Sequence, residues 1–193
     1  MMEVFVNEQQ VLQRLKNGDV EALATLMERY QVKAIRAANF ITRDEALAQD
    51  AVQAVFIRLF ERSHLIDPLR RFEPYLMRSV VNEAINAANK QKRFISFKDT
   101  IESETAFASA LAMHDQGAGD PQRALDDSER QQMVADALAE LSPKQRAVIV
   151  MRYFLDMTEA EIAAANDEPN GTVKWRLHAA RNRLRGILSW GEA

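Results

Sequence analysis

Apolar residues recur at helical spacing along most of the chain. Near the C-terminus, Val173, Leu177, Ala180, Leu184 and Ile187 lie three or four positions apart, which places them on one face of a helix. No run of β-branched residues alternates with polar ones between turn residues, as a half-buried strand would require. The pattern therefore predicts an all-α fold. The expected helices cover about residues 7–16, 19–39, 43–62, 73–92, 121–140, 143–155, 158–165 and 171–188.

The helical periodicity weakens in one internal stretch, where acidic residues are concentrated. The segment from Lys98 to Glu140 contains ten acidic and three basic residues. Asp120 followed by Pro121 is typical of a helix start. We therefore expect two small helical domains, residues 1–97 and 121–193, joined by an acidic linker over 98–120. Taken alone, the linker residues favour a solvated loop.

The composition is that of a folded soluble protein. The chain has 193 residues, of which 47% are hydrophobic and 27% charged, and it contains no cysteine. The lack of cysteine excludes disulfides and thiolate chemistry and fits a reducing compartment. The N-terminus has no signal-peptide pattern, and no stretch approaches the length of apolar residues that a membrane span needs. We expect a cytoplasmic protein that is not inserted into a membrane.

Nothing in the sequence indicates catalysis. The three histidines, His64, His114 and His178, lie in three different segments. Paired metal-ligand spacing, a phosphate-binding loop and a nucleophile motif are all missing from the sequence. We therefore expect a protein that is not an enzyme and that uses neither a metal nor a cofactor.

The C-terminal segment has the pattern of a helix-turn-helix. Thr158 and Glu161 fit a capping box, in which each side chain bonds the backbone N–H of the other. A polar turn over Asn166–Gly171 follows, and a long helix is expected from Thr172. Five basic residues and no acidic residue lie between Gly171 and Gly186. A short helix, a turn and a basic helix are the parts of a helix-turn-helix DNA-binding unit.

The last helix has a polar and basic face opposite its apolar stripe. Cations on such a face release counterions from DNA phosphates, and Arg and Asn side chains pair with base edges in the major groove. The alternative is an ordinary amphipathic helix whose basic face is only solvated. The capped helix that precedes the last helix favours DNA binding over this alternative. Trp175 points outward, so it is expected to contact DNA or to cover a partner surface. The exposed arc comprises Lys174, Trp175, His178, Arg181, Asn182 and Arg185.

These motifs resemble region 4 of extracytoplasmic-function sigma factors. LSPKQR at 141–146, EIA at 161–163 and GTVKWRLHAAR at 171–181 are similar to the family pattern LPxxxR, EIA and GTVKSRLxRAR. The resemblance implies binding to the minus-35 promoter element and to the flap of the polymerase β subunit. The DNA contacts that it implies are Thr172, Lys174, Trp175, Arg176, His178, Arg181, Asn182 and Arg185. Trp175 replaces a small serine, and polar Asn166–Pro169 replaces a turn of the L-G-I/V-P type.

The third predicted helix resembles sigma region 2.2, whose helix binds the clamp coiled coil of the β′ subunit of RNA polymerase. DAVQAVF at 50–56 is similar to the family core DLVQEVF, with Ala54 in place of a glutamate. Helical spacing puts Glu61 on the same exposed arc as the aspartate and glutamine of this motif. A buried helix with a solvated stripe is the alternative. The implied clamp-binding residues are Asp50, Gln53, Phe56 and Ile57.

The fourth predicted helix carries three asparagines on one face, although asparagine is a poor helix former. Six basic and two acidic residues lie between Arg70 and Arg93, which favours nucleic acid. The segment 72–93 resembles regions 2.3 and 2.4, which recognise and melt the minus-10 element. Tyr75 stands where tryptophan is common, and Asn86 where aspartate is common. The implied contacts to single-stranded bases are Phe72, Tyr75, Arg78, Ser79, Asn82, Asn86, Lys90 and Arg93.

Together the resemblances identify the chain as an extracytoplasmic-function sigma factor of the sigma-70 family. Its implied partners are core RNA polymerase, promoter DNA and an anti-sigma factor, and the acidic linker is implied to follow the RNA path of the polymerase. Two other functions stay open from the residues. A helix-turn-helix repressor would not explain the polar faces of the third and fourth helices. A sigma mimic that only binds an anti-sigma factor would not need a basic recognition face, which this chain has.

Overall fold

The computed structural model describes residues 7–95 and 133–188, and side chains over 7–92 and 133–187. In the N-terminal part the helices are α1 (Glu8–Lys16), α2 (Val20–Thr42), α3 (Glu45–Glu61) and α4 (Phe72–Ile95), with a short 3₁₀ turn at Ser63–Leu65. In the C-terminal part they are α5 (133–139), α6 (Pro143–Ile149), a π-helical turn (Val150–Phe154), α7 (Glu159–Asn166) and α8 (Asn170–Leu188).

The helices begin where short polar side chains can accept hydrogen bonds from otherwise unpaired backbone N–H groups. Asp19 caps α2 by accepting from the Glu21 N–H at 2.9 Å, and Asp44 caps α3 by accepting from the Leu47 N–H at 3.0 Å. Gly18, with φ of +84°, makes the turn between α1 and α2 that a side chain would strain. Capping and turn residues therefore set the points at which the chain changes direction.

The N-terminal part is a bundle in which α2, α3 and α4 pack around a shared apolar interior. Val52, Val55 and Leu59 of α3 are buried in it, as their phase predicts. The hydroxyl of Tyr30 donates to the Glu8 carboxylate and ties α1 to α2, and burial together with this contact raises the pKa of Tyr30 to about 12. Two ion pairs link neighbouring helices at the surface, Lys33 with Glu73 at 2.6 Å and Arg58 with Glu83 at 2.6 Å.

The C-terminal part packs α6 and α7 against α8. The predicted stripe on α8 is confirmed in its first part, because Val173, Leu177 and Ala180 are fully buried, whereas Leu184 and Ile187 are half-buried. After α6 the chain widens into the π-helical turn, where the Leu155 N–H donates to the Val150 carbonyl at 3.0 Å. Asp156 then adopts φ of +53° and ends this segment before the α7 cap at Thr158.

The two parts meet along a seam formed by α2 and α4 on one side and α6, the π-helical turn and α7 on the other. Phe154 of the π-helical turn packs edge-on against Phe40 of α2, with ring centroids 5.3 Å apart, and Arg36 lies over the Phe154 ring. Arg146 is 94% buried here, and burial, with a smaller effect from the positive charge of Arg43, lowers its pKa to about 10. Most of the buried apolar residues of both parts form one continuous cluster.

The observed helices agree with the all-α prediction. The largest differences are the ends of α2 and α4, which extend three residues further than predicted, to Thr42 and Ile95, and the π-helical turn that replaces the second half of the predicted helix over 143–155. The acidic linker over 98–120 lies outside the described residues, as does the predicted helix over 121–140 up to residue 132, while its remainder is observed as α5. Within the described ranges, no helix combines the length and apolar character needed to cross a membrane.

Candidate nucleic-acid and polymerase interfaces

The turn before α8 is shaped by backbone conformations that its polar residues tolerate. Asp167 adopts the left-handed conformation, with φ of +53°, and its N–H caps α7 by donating to the Ala163 carbonyl. Pro169 follows, and its carbonyl accepts from the Thr172 N–H at 2.9 Å in the first turn of α8. At the other end of α7, Thr158 and Glu161 form the predicted capping box, whose hydrogen bonds lower the pKa of Glu161. The polar turn is therefore a compact connection between α7, which is capped at both ends, and the first turn of α8.

Helix α8 presents the predicted polar face to solvent. Trp175 is 70% exposed, which confirms that its phase points outward. Thr172 lies half-buried at the start of the helix. A large aromatic side chain exposed to this extent among cations is a surface for contact with a partner. The exposed members of this face are Lys174, Trp175, His178, Asn182 and Arg185, and Arg181 is half-buried beside them.

Several side chains on α8 are already held by other protein groups. The Arg181 Nε donates to the hydroxyl of Tyr153 at 2.8 Å, and its guanidinium lies 5.7 Å from the centroid of that ring. The Asn182 amide bonds His178 Nε2 at 2.9 Å and accepts a long hydrogen bond from Arg185. These contacts restrict the rotamers that the polar face can adopt before any ligand arrives.

Arg176 stands apart from the other predicted contacts on α8. Its guanidinium binds both carboxylate oxygens of Glu168, at 2.5 and 3.0 Å, and its side chain is only 13% exposed. Arg176 therefore lies at the edge of the buried stripe, bonded to the turn. Glu168 and Tyr153 are functional candidates that the sequence analysis did not identify. An acidic residue in place of an apolar turn residue was the available signal for Glu168.

Helix α4 brings most of the predicted minus-10 residues onto one side. Tyr75 is 55% exposed, and Arg78, Asn86 and Lys90 are exposed. Ser79 and Asn82 are half-buried, and the Ser79 hydroxyl donates to the Tyr75 carbonyl at 3.1 Å. The side chain of Arg93 lies outside the described residues. The result is a polar and cationic strip with one exposed aromatic ring near its N-terminal end.

Phe72 does not belong to this strip, contrary to the prediction. It is 2% exposed, and its ring packs on Tyr30 at a centroid distance of 5.6 Å. The first turn of α4 faces α2, so burial of the phenylalanine fills the bundle interior and removes it from solvent. Phe72 instead packs against the ring of Tyr75 from the interior of the bundle, with the two ring centroids 6.5 Å apart.

Helix α3 presents the predicted exposed arc. Asp50, Gln53 and Glu61 are exposed, and Ile57 is 51% exposed between them. Phe56 was predicted as a clamp contact, and this is wrong for the described arrangement because its side chain is 2% exposed. It occupies the opposite, apolar side of α3 together with Val55. An exposed isoleucine surrounded by acidic and amide groups is suited to a basic partner with an apolar centre.

Comparison with known proteins finds two family models along this chain. The model of sigma-70 region 2 matches residues 26–94, and the model of sigma-70 region 4 matches residues 131–184. The extracytoplasmic-function sigma factor SigW of Bacillus subtilis is 28% identical over 190 residues, covering 97% of this chain and 98% of that protein. The sigma-E factor of Escherichia coli K12 is 29% identical over 187 residues, covering 95% of each chain.

Solved structures share the fold. The structure of CnrH in complex with the cytosolic domain of CnrY matches with a TM-score of 0.63 and 21% identity, covering 94% of this chain and 97% of that one. The sigma factor RpoE in complex with the anti-sigma factor NepR from Bartonella quintana matches with a TM-score of 0.62 and 23% identity, covering 86% of this chain and 97% of that one. This chain belongs to the extracytoplasmic-function group of the sigma-70 family, whose members are non-catalytic transcription initiation factors.

Proposed function

We propose that this protein binds core RNA polymerase in the cytoplasm and directs it to promoters through three separate surfaces, one each on α3, α4 and α8. Residues 1–97 act as sigma region 2, residues 98–120 as the linker, and residues 121–193 as sigma region 4. The observation that carries the proposal is that all three surfaces stay exposed on one chain while the helices that carry them share a continuous core.

The α3 surface binds the β′ clamp. Ile57 supplies the apolar centre, and Asp50 and Gln53 supply acceptors and negative charge around it. Such a pattern suits a basic helical partner. Burial of the exposed isoleucine contributes binding free energy, and the acidic and amide groups around it favour a positively charged surface. Phe56 acts indirectly by keeping α3 packed against the bundle.

The α4 surface separates and holds the strands of the minus-10 element. Tyr75 offers a ring on which an unpaired base can stack, and base–aromatic stacking is worth about 1–3 kcal/mol per base. Asn82 and Asn86 supply amides for base edges, while Arg78 and Lys90 neutralise phosphates. Their distribution along one side of a helix allows them to follow a single strand.

The α8 surface binds the minus-35 element in the major groove. Arg181, Asn182 and Arg185 can bond base edges or phosphates, and Lys174 and His178 extend the polar surface. The rest of region 4 contacts the β flap. We also propose regulation by an anti-sigma factor, which is supported by the similar fold of the sigma factor RpoE in its complex with the anti-sigma factor NepR.

Run-off transcription on a genomic fragment library tests the function. Core polymerase alone is compared with core plus this protein, and we expect discrete new start sites only with the protein. Ile57→Asp should weaken binding to core polymerase by about tenfold or more, because it removes the apolar centre of the α3 surface. Val32→Asp, at a 56% exposed site on α2, is the matched control and should bind core normally. Neither polymerase binding nor new transcripts with the wild type would contradict the proposal.

A further inference from the structure

The turn and the recognition helix are joined by a bidentate ion pair. Glu168 in the turn accepts from both terminal nitrogens of Arg176, and the two side chains are 23% and 13% exposed. The Arg176 hydrogen bonds lower the pKa of Glu168, and the charge of Lys144 on α6 adds to this. Glu168 is therefore a carboxylate at neutral pH, within reach of cations from two of the helices that surround it.

This pair does two things to α8. The two parallel hydrogen bonds fix the Arg176 guanidinium in one orientation, which a single contact would not do. They also tie the helix to the turn eight residues earlier, so the angle at which α8 leaves the turn depends on the pair. Since the arginine charge is already matched by a carboxylate, little of it is left to displace counterions from DNA.

We propose that Glu168 and Arg176 are positioning residues that set how α8 enters the major groove, and that Arg176 does not itself bind a phosphate. This rests on the proposed function, and it reassigns one of the predicted DNA contacts. Promoter selectivity then depends on a pair that touches no base. The direct contacts to DNA come from the exposed face that begins at Lys174 and Trp175.

The test measures holoenzyme binding to a promoter found by the transcription experiment and to the same promoter with a scrambled minus-35 element. We expect Arg176→Lys to lower the ratio of the two affinities by roughly three- to tenfold, because lysine keeps the charge but cannot make the bidentate pair. Glu168→Gln should lower it by a similar factor. Combining Glu168→Gln with Arg176→Gln should cost no more than either change alone, because both remove the same interaction.

The salt dependence distinguishes positioning from phosphate binding. Arg176→Gln should leave the slope of log affinity against log salt unchanged, whereas loss of one phosphate contact would reduce it by about 0.9. Glu140→Gln is the matched control, because it breaks the pair at 3.0 Å between Arg183 of α8 and Glu140 at the end of α5, where both side chains are more than half exposed. It should change selectivity little. Full selectivity in Arg176→Lys, or a reduced slope in Arg176→Gln, would overturn the inference.

A second measurement does not depend on transcription. In the full-length chain, NMR signals of the Arg176 guanidinium should show restricted rotation and should lose it in Glu168→Gln. On addition of duplex DNA these signals should stay in place while those of Arg185 move. Movement of the Arg176 signals with DNA would contradict the inference even if the protein proved to be a sigma factor. Absence of transcription with an intact ion pair would instead count against the proposed function.

Discussion

Helices α4 and α8 carry the two polar surfaces that we propose for nucleic acid, but they hold their side chains differently. On α8, Arg181 is bonded to Tyr153 on another element, and Asn182 bonds both His178 and Arg185. On α4, no protein partner is found within the described residues for Arg78, Asn82, Asn86 or Lys90. One surface is preorganised and the other is not.

The difference fits the two substrates proposed for these helices. Base edges in a duplex groove sit at fixed positions, so affinity and discrimination improve when the protein groups are already ordered. An unpaired strand has no fixed geometry, and stacking on an aromatic ring tolerates many arrangements of the bases. Preorganisation would therefore help at the minus-35 element and would be of less use at the minus-10 element.

The largest effect is expected at Tyr75. Tyr75→Ala removes the exposed ring of the α4 surface and should reduce open-complex formation by about ten- to a hundredfold, from the usual energy of one stacked base. Permanganate reactivity of unpaired thymines measures the melted state. Tyr75→Phe keeps the ring and is the matched control. If both variants melt promoters equally well, the ring is not a stacking surface.

Arg181 tests the preorganised surface directly. Arg181→Ala should reduce the preference for the native minus-35 element by about tenfold, because one well-placed arginine contributes roughly 1–3 kcal/mol of discrimination. Melting of a template with a preopened minus-10 region should change little. Competition between native and scrambled promoters gives the ratio, and an unchanged ratio would remove Arg181 from the recognition surface.

A smaller effect is expected from Tyr153→Phe, which isolates preorganisation from contact. The change removes only the hydroxyl that accepts from Arg181 and leaves the ring beneath its guanidinium. We expect discrimination at the minus-35 element to fall by about two- to fivefold, because the lost hydrogen bond is solvent-exposed and contributes only about 0.5–1 kcal/mol. Full discrimination in this variant would show that Arg181 does not depend on the Tyr153 hydroxyl for its position. The proposed difference in preorganisation between α8 and α4 would then not matter for recognition.

The smallest effect concerns acid stability. The pKa of Glu168 is lowered in the folded protein, so its pairing with Arg176 stabilises the fold above the ordinary glutamate pKa of 4.5 and is lost as pH falls through the lower folded value. The difference in melting temperature between wild type and Glu168→Gln should therefore be greatest near neutral pH and shrink below about pH 4.5. Thermal melts from pH 7 to pH 3 measure it, and a difference that grows in acid would contradict the pairing.

The helices and their apolar faces could be predicted because they depend on local spacing. Val173, Leu177 and Ala180 are buried as their phase requires, and the Thr158 capping box forms as its spacing predicts. The aromatic residues were harder to place. Phe56 and Phe72 belong to segments that resemble partner-binding regions, but both side chains are buried. Burying a phenylalanine side chain in the bundle stabilises the fold by about 1.5–3 kcal/mol relative to leaving it at the surface.

The chemistry-bearing residue types and their order along the chain were determined by the sequence alone: three polar helical faces, a capped helix-turn-helix and a basic last helix. The tertiary structure decided which of those side chains are available. The Glu168–Arg176 pair, the Tyr153–Arg181 contact and the packing of Phe154 on Phe40 join residues from different elements. Periodicity reports the direction of a side chain from its own helix, but pairing between elements depends on how the helices pack.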